Sequence, residues 1–350
     1  MRWSGKAVVR GGKAPFSFKV DLRSVFVFLV LGAVAVGGVI VNVGVGEYPI
    51  SPPDVVRTIL GIELADGNYD FIVNTLRLPR ALVAFLVGVA LAMSGAILQG
   101  LTRNPLAAPD IIGINAGAGL AAVTLIVVFP SVSAAFVPPA AFVGACAVAG
   151  LLYLLAWRGR SSPIRLILIG IGLGAIAGAC TTFMITFGDI YEVSQALVWL
   201  TGSVYGRSWD QVVSFLPWLL VFVPIVLLYS RHLNALGLGD EVATGLGSRV
   251  ERQRGVLIFA SVALAASAVA TAGTVGFVAF IAPHIARQLV GPNHGGLLPV
   301  SAVTGGAIVA LADLIGRTIF APIEIPCGII TSIIGAPYFL YLLYRSSQVK

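Results

Sequence analysis

Residues 76–119 read LRLPRALVAFLVGVALAMSGAILQGLTRNPLAAPDIIGINAGAG. From Ala81 to Leu101 there is no charged side chain, an uninterrupted run of 21 residues. A helix needs about 20 such residues to cross a hydrocarbon core of about 30 Å. Gly88 and Gly95 interrupt nothing here, because membrane helices use small residues to bring backbones together. Arg77 and Arg80 precede the run and Arg103 follows it, so the charges stand where the head groups would be. This stretch therefore predicts a membrane-spanning helix.

The rest of the chain follows the same rule. Of its 350 residues, 58% are hydrophobic and 11% charged, with a mean hydropathy of +0.97. Globular domains carry about 25% charged residues. So few charges cannot cover a water-soluble surface, and the excess apolar area must face lipid. Lys and Arg number 22 against 15 acidic residues. They flank apolar runs, which makes them a topology signal and not a nucleic-acid surface. Cys146, Cys180 and Cys327 lie in or beside apolar runs at spacings that fit neither a metal set nor a disulfide framework.

Further apolar runs occupy Ser24–Val45, Ile111–Phe129, Ala134–Trp157, Ile164–Phe187, Val212–Ser230 and Gly255–Ala272, with three more near Val275–Val290, Leu298–Ile315 and Ile325–Tyr344. The expectation is an all-α polytopic protein of about ten helices, in which a basic tail (residues 1–23) precedes one membrane domain (24–350). The first run exceeds the apolar core of a cleaved signal peptide, about 7–15 residues, and reads as a retained helix. With both termini in the cytoplasm, 17 of the 22 basic residues fall inside, and shifting the count by one helix destroys that bias. Arg57, Arg77, Arg80, Arg207 and Arg317 are then outside. Gly46–Asn74 reads as an external surface loop. The internal loop of residues 231–254 spaces Leu233, Leu236, Leu238, Val242 and Leu246 at roughly helical intervals, predicting short helices at the cytoplasmic face, broken at glycines.

Chemistry-bearing motifs are scarce. No lysine sits in a Walker A sequence, and neither HExxH nor CxxC occurs. A membrane enzyme is thus disfavoured. Deep carboxylates, which ion-coupled carriers use, are confined on this reading to Asp313 and Glu324 near the outer ends of their spans. That argues against a proton-coupled secondary transporter. Gly170, Gly174 and Gly178 form a flat stripe for close helix packing.

Several blocks together resemble the iron-siderophore and cobalamin family of ABC importer permeases. They are Leu76–Arg80, Gly95 with Gln99, Arg103–Ala107 with Pro109, and Gly113 with Gly117. Next come Leu238–Glu241, Ala243 with Leu246 and Gly247, and Gly276–Val278 with Pro283, His284 and Arg287. The series ends with Ala312, Asp313 and Arg317, then Glu324–Pro326 with Gly328, Thr331, Gly335, Pro337 and Phe339. They run in order from about Val25 to the C-terminus. Cys327 stands where that family usually has an aliphatic residue.

The resemblance implies a permease subunit in the bacterial cytoplasmic membrane, paired with a second permease subunit. Two ATPase subunits and an extracytoplasmic substrate-binding protein are its further partners. It implies docking of the binding protein at Arg77, Arg80 and Arg317. It also implies coupling to the ATPase through Leu238, Gly239, Asp240, Glu241, Ala243, Gly245, Leu246 and Gly247, and an inner gate at Ser161 and Ser162. Ferric siderophore is the expected cargo, with cobalamin and haem as alternatives. Such cargo arrives with its iron already coordinated, so no metal site and no cofactor are expected, and His284 reads as a helix-end polar group.

Overall fold

The computed structural model describes residues 6–10, 17–62, 68–156 and 163–347. Within them the fold is helical, apart from an antiparallel two-stranded ribbon of β1 (Lys6–Arg10) and β2 (Ser17–Asp21) in the basic tail. Each of the ten expected spans carries a helix. They are α1 (Leu22–Gly44), α3 (Leu78–Thr102), α4 (Ile114–Val123), α5 (Val137–Ala156), α6 (Pro163–Phe187), α8 (Trp209–Leu228), α11 (Val250–Ala272), α12 (Val278–Val290), α13 (His294–Thr318) and α14 (Cys327–Ser347). Eight are long and apolar enough to cross a membrane; α4 and α12 belong to shorter apolar helices.

Gly46–Asn74, expected as a surface loop, contains a helix, α2 (Pro52–Ile59), and a further short helix, α7 (Ile190–Leu200), follows α6. In α2 the Ser51 side chain accepts from the backbone N–H of Asp54, while Pro52 and Pro53 occupy the first turn, where a missing N–H costs nothing. Val55 and Thr58 turn inward, so a segment read as polar packs through one face.

At the centre stands α3, entered from a wider turn at Phe71–Arg77 and buried along most of its length. It packs on α13, α11 and α12. Small residues permit this. A Cβ on Gly88 would collide with the backbone of Gly305 and Gly306, and one on Gly95 with that of Ala279. Dispersion at such close range replaces the hydrophobic drive that lipid removes. Ser94 and Ser261 add a hydrogen bond of 2.8 Å between α3 and α11. By contrast, α1 leaves most of its surface to lipid. The glycine stripe on α6 packs only in part: Gly170 abuts the backbone of Ile112 and Gly174 approaches Gly113, whereas Gly178 faces open space.

Two breaks in the helical pattern position the sites. The chain leaves α3 at Arg103 in a left-handed conformation (φ 52°), and α4 does not begin until Ile114. Between α11 and α12, residues 273–277 are non-helical, with Phe277 at φ 64°. The spans expected from Ile111 and Val275 therefore start as turns and extended chain. Non-helical backbone survives at membrane depth only when protein or a wet cavity surrounds it.

Candidate functional site

At the end of the bundle where α3 begins, the three arginines singled out in the sequence converge. Arg77 donates to the carbonyls of Val43 (3.0 Å) and Tyr48 (2.8 Å), and Arg317 donates to the carbonyl of Asn42. Both clamp the end of α1. The guanidinium of Arg80 is shared between Asp313 (2.7 Å) and Glu324 (2.8 Å) and lies 5.6 Å from the ring of Tyr205. Asp313 is almost wholly buried, whereas Glu324 remains partly exposed. The rim thus combines three guanidinium groups with two carboxylates, and Arg80 is engaged within the chain.

At the opposite end lies the internal loop, folded as α9 (Ser230–Gly237) and α10 (Asp240–Gly245) about Gly239, whose φ of 106° only glycine adopts readily. Its apolar residues divide. Leu233 and Leu236 are buried, and Leu233 presses against Gly100 of α3. Leu238, Val242 and Leu246, spaced by four, form an exposed ridge, with Glu241, Gly245 and Gly247 also at the surface.

Two polar latches hold this segment. Asn234 Oδ1 accepts from the backbone N–H of His294 (2.9 Å) and faces His294 Nδ1 at 2.8 Å. The latter contact puts the ring proton on Nδ1 and leaves Nε2 buried without a partner. The second latch joins Asp240 at the start of α10 to Arg254 in α11, at 2.6 Å; the Arg254 side chain is 4% exposed. Glu251, one turn earlier, lies 3.4 Å from the same guanidinium. Through these contacts α9 and α10 are fastened to α3, α11 and α13.

Ser161 and Ser162 lie outside the described residues. His284 is not at a helix end, since it lies inside α12, 2.8 Å from Gln288 and edge-on to Tyr338. Pro283 stands within α12 without terminating it.

A third feature escaped the sequence reading. The sequence reading confined deep carboxylates to Asp313 and Glu324, yet Arg103–Gly113, which carries Asp110, turns back into the bundle. Its Ile112 abuts Gly170, seven residues into α6. Asp110 accepts from the backbone N–H of Phe277 and from the amide of Asn115. Phe277 lies two residues before Ala279, which touches Gly95 of α3. At ~1.5 Å per residue, Gly95 is about 10 Å from Thr102 and about 22 Å from Arg80. A carboxylate besides Asp313 and Glu324 therefore packs among the helices, which corrects the expectation that such groups were confined to those two. It was illegible because the return of the chain depends on tertiary packing, not on local hydropathy. Asp110 and Asn115 line a cleft of about 430 Å³ together with Leu200, Thr201, Thr274 and Ser332.

Apolar helices packed through glycines, two ends of opposite architecture and helix breaks beside a deep cleft define a polytopic membrane transport protein. The chain belongs to the FecCD transport family, which residues 31–345 match. It is 46% identical over 323 residues to the Fe(3+)-citrate import system permease protein YfmE of Bacillus subtilis, covering 92% of this chain and 95% of that one. It is 47% identical over 335 residues to the probable siderophore transport system permease protein YfhA of the same organism, covering 93% and 96%. The cobalamin import permease BtuC of Halobacterium salinarum is 43% identical over 280 residues, or 80% of this chain and 74% of that one. Among solved structures, a metal-chelate type ABC transporter in an inward-facing conformation superposes with a TM-score of 0.82 at 31% identity, covering 91% of this chain and 99% of that chain.

Proposed function

We propose that this chain is the permease subunit of a binding-protein-dependent ABC importer for ferric siderophores, in the bacterial cytoplasmic membrane. The observation that carries this reading is the near full-length match to iron-citrate and siderophore permeases. All ten apolar helices cross the membrane, with both termini in the cytoplasm. A second permease subunit completes a central path, separate ATPase subunits hydrolyse ATP, and Ser161 and Ser162 border the inner gate.

Each end has its task. The rim of Arg77, Arg80 and Arg317 meets acidic residues of the substrate-binding protein. An exposed pair of this kind gives only about 0.2–1 kcal/mol, so the rim steers and orients more than it binds. The ridge of Leu238, Val242 and Leu246 inserts into the ATPase. Because α9 and α10 are fastened to α3, α11 and α13, ATPase closure moves those helices as rigid bodies and re-gates the path.

The test is uptake of radiolabelled iron by cells with and without this chain, offered one ferric siderophore at a time. Uptake of at least one siderophore that depends on the chain is expected. If no ferric chelate depends on it, while cobalamin or haem does, the cargo assignment fails.

A further inference from the structure

The side chains lining the Asp110 cleft have spent their protons. Thr201 Oγ1 donates to the carbonyl of Val198 (2.6 Å), Ser332 Oγ to that of Gly328 (2.7 Å), and Thr274 Oγ1 to that of Leu200. The Asn115 amide donates to Asp110, which fixes the orientation of the Asn115 side chain and leaves its Oδ1 facing away. That Oδ1 is buried and has no partner, in a residue only 8% exposed. With those protons engaged, the three hydroxyl groups can only accept from a group in the cleft, beside the Asp110 carboxylate.

Charge sharpens the point. None of the ion pairs among the described residues involves Asp110. Its known partners are the Phe277 N–H and the Asn115 amide, both neutral. A carboxylate among membrane-spanning helices is costly to ionise without a counter-charge, and such groups in membranes mark ion or substrate pathways. Leu200, Ile329 and Ile333 supply the apolar walls, and Ile333 is exposed, so the cleft is reachable from the surface of the chain. Capping of α12 at Phe277 explains one lone pair of Asp110. It does not explain the unpartnered Asn115 oxygen beside it or three hydroxyl groups all turned to present acceptors.

We propose that the Asp110–Asn115 cleft is a binding site for a positively charged, hydrogen-donating group. Two sources share that chemistry: a hydrated alkali cation, and an ammonium group carried by the cargo. The site deepens the transport reading and rests on it for the cargo source. It makes Asp110 and Asn115 specificity-determining residues along the path.

The experiment uses the complete transporter reconstituted in liposomes, as wild type, Asp110→Asn and Asn115→Leu. Asp110→Asn keeps the shape and the acceptor for Phe277 while removing the charge. In one arm the sole cation is sodium, potassium or N-methyl-D-glucamine. In the other the cargo is a ferric trihydroxamate with a free ammonium group or its N-acetylated form. Wild-type uptake should differ by about tenfold within at least one arm, the rate equivalent of ~1.4 kcal/mol. Asp110→Asn should abolish that difference and Asn115→Leu should reduce it. Equal ratios in wild type and Asp110→Asn in both arms would remove Asp110 from cargo and cation selection during transport.

A second readout needs no cargo: the melting temperature of the purified transporter in sodium, potassium or methylammonium chloride against N-methyl-D-glucamine chloride. A saturable rise with one of the small cations, lost in Asp110→Asn, supports the site even if no ferric chelate is carried. Failure to carry any chelate counts against the cargo assignment alone. Identical melting in all four salts, together with equal uptake ratios, overturns the site.

Discussion

Arg254 and Asp240 meet at 2.6 Å, and the contact joins the short helix α10 to the second turn of the long helix α11. Its guanidinium is nearly buried while the carboxylate is partly exposed, so the pair is anchored through Arg254. Arg254→Ala should lower iron uptake while ATP hydrolysis by the assembled transporter persists. A hydrogen bond to a charged group contributes about 1.5–3 kcal/mol, enough for a tenfold or greater change. The ratio of iron imported to ATP hydrolysed checks this, and the Asp240→Arg, Arg254→Asp exchange should restore part of it. An unchanged ratio would show that α10 moves without the pair.

The Arg80 rim separates stability from docking. Arg80→Ala strands the buried Asp313, and removing one partner of a buried pair costs about 3–5 kcal/mol. The thermal midpoint of the purified protein should fall markedly. Arg80→Ala with Asp313→Ala should be less damaging than Arg80→Ala alone, because no unpaired carboxylate remains. A double variant as unstable as the single one would contradict this account.

Docking itself is better read at Arg77 and Arg317, whose guanidinium groups bind backbone carbonyls and form no close ion pair among the described residues. Arg317→Gln should weaken the substrate-binding protein by a few-fold, in line with ~0.2–1 kcal/mol for an exposed pair. The loss should shrink as ionic strength rises, because screening acts on the same interaction. Titration of the binding protein onto reconstituted transporter at two salt concentrations measures both.

Close packing makes a prediction of its own. Gly88→Val must push α3 away from Gly305 and Gly306, where the obstruction is backbone and cannot rotate aside. Overpacking of this kind typically costs 1–3 kcal/mol and occasionally more. Membrane abundance of the folded chain should drop sharply. Gly178→Val, on open space in α6, should leave it near wild type.

Much of this was written in local sequence. Charge-free runs of membrane length fixed where the helices lie, since hydropathy needs no partner to be read. Flanking arginines marked the ends of α3 and α13, and the leucine spacing in residues 231–254 announced α9 and α10. What those leucines do was not legible. Leu233 and Leu236 turn inward along α9, Leu238 turns outward where that helix ends, and Val242 turns outward beyond Gly239, where the chain changes direction.

The sequence by itself determined a helical membrane protein and its family, because length, hydropathy and motif are properties of contiguous residues. Only the tertiary structure decided that Arg80 is held between Asp313 and Glu324, that Arg254 latches Asp240, and that Asp110 lines a cleft beside Asn115. Each of these joins residues from different parts of the chain. Their energies depend on distance and burial, which close helix packing sets and no local pattern encodes.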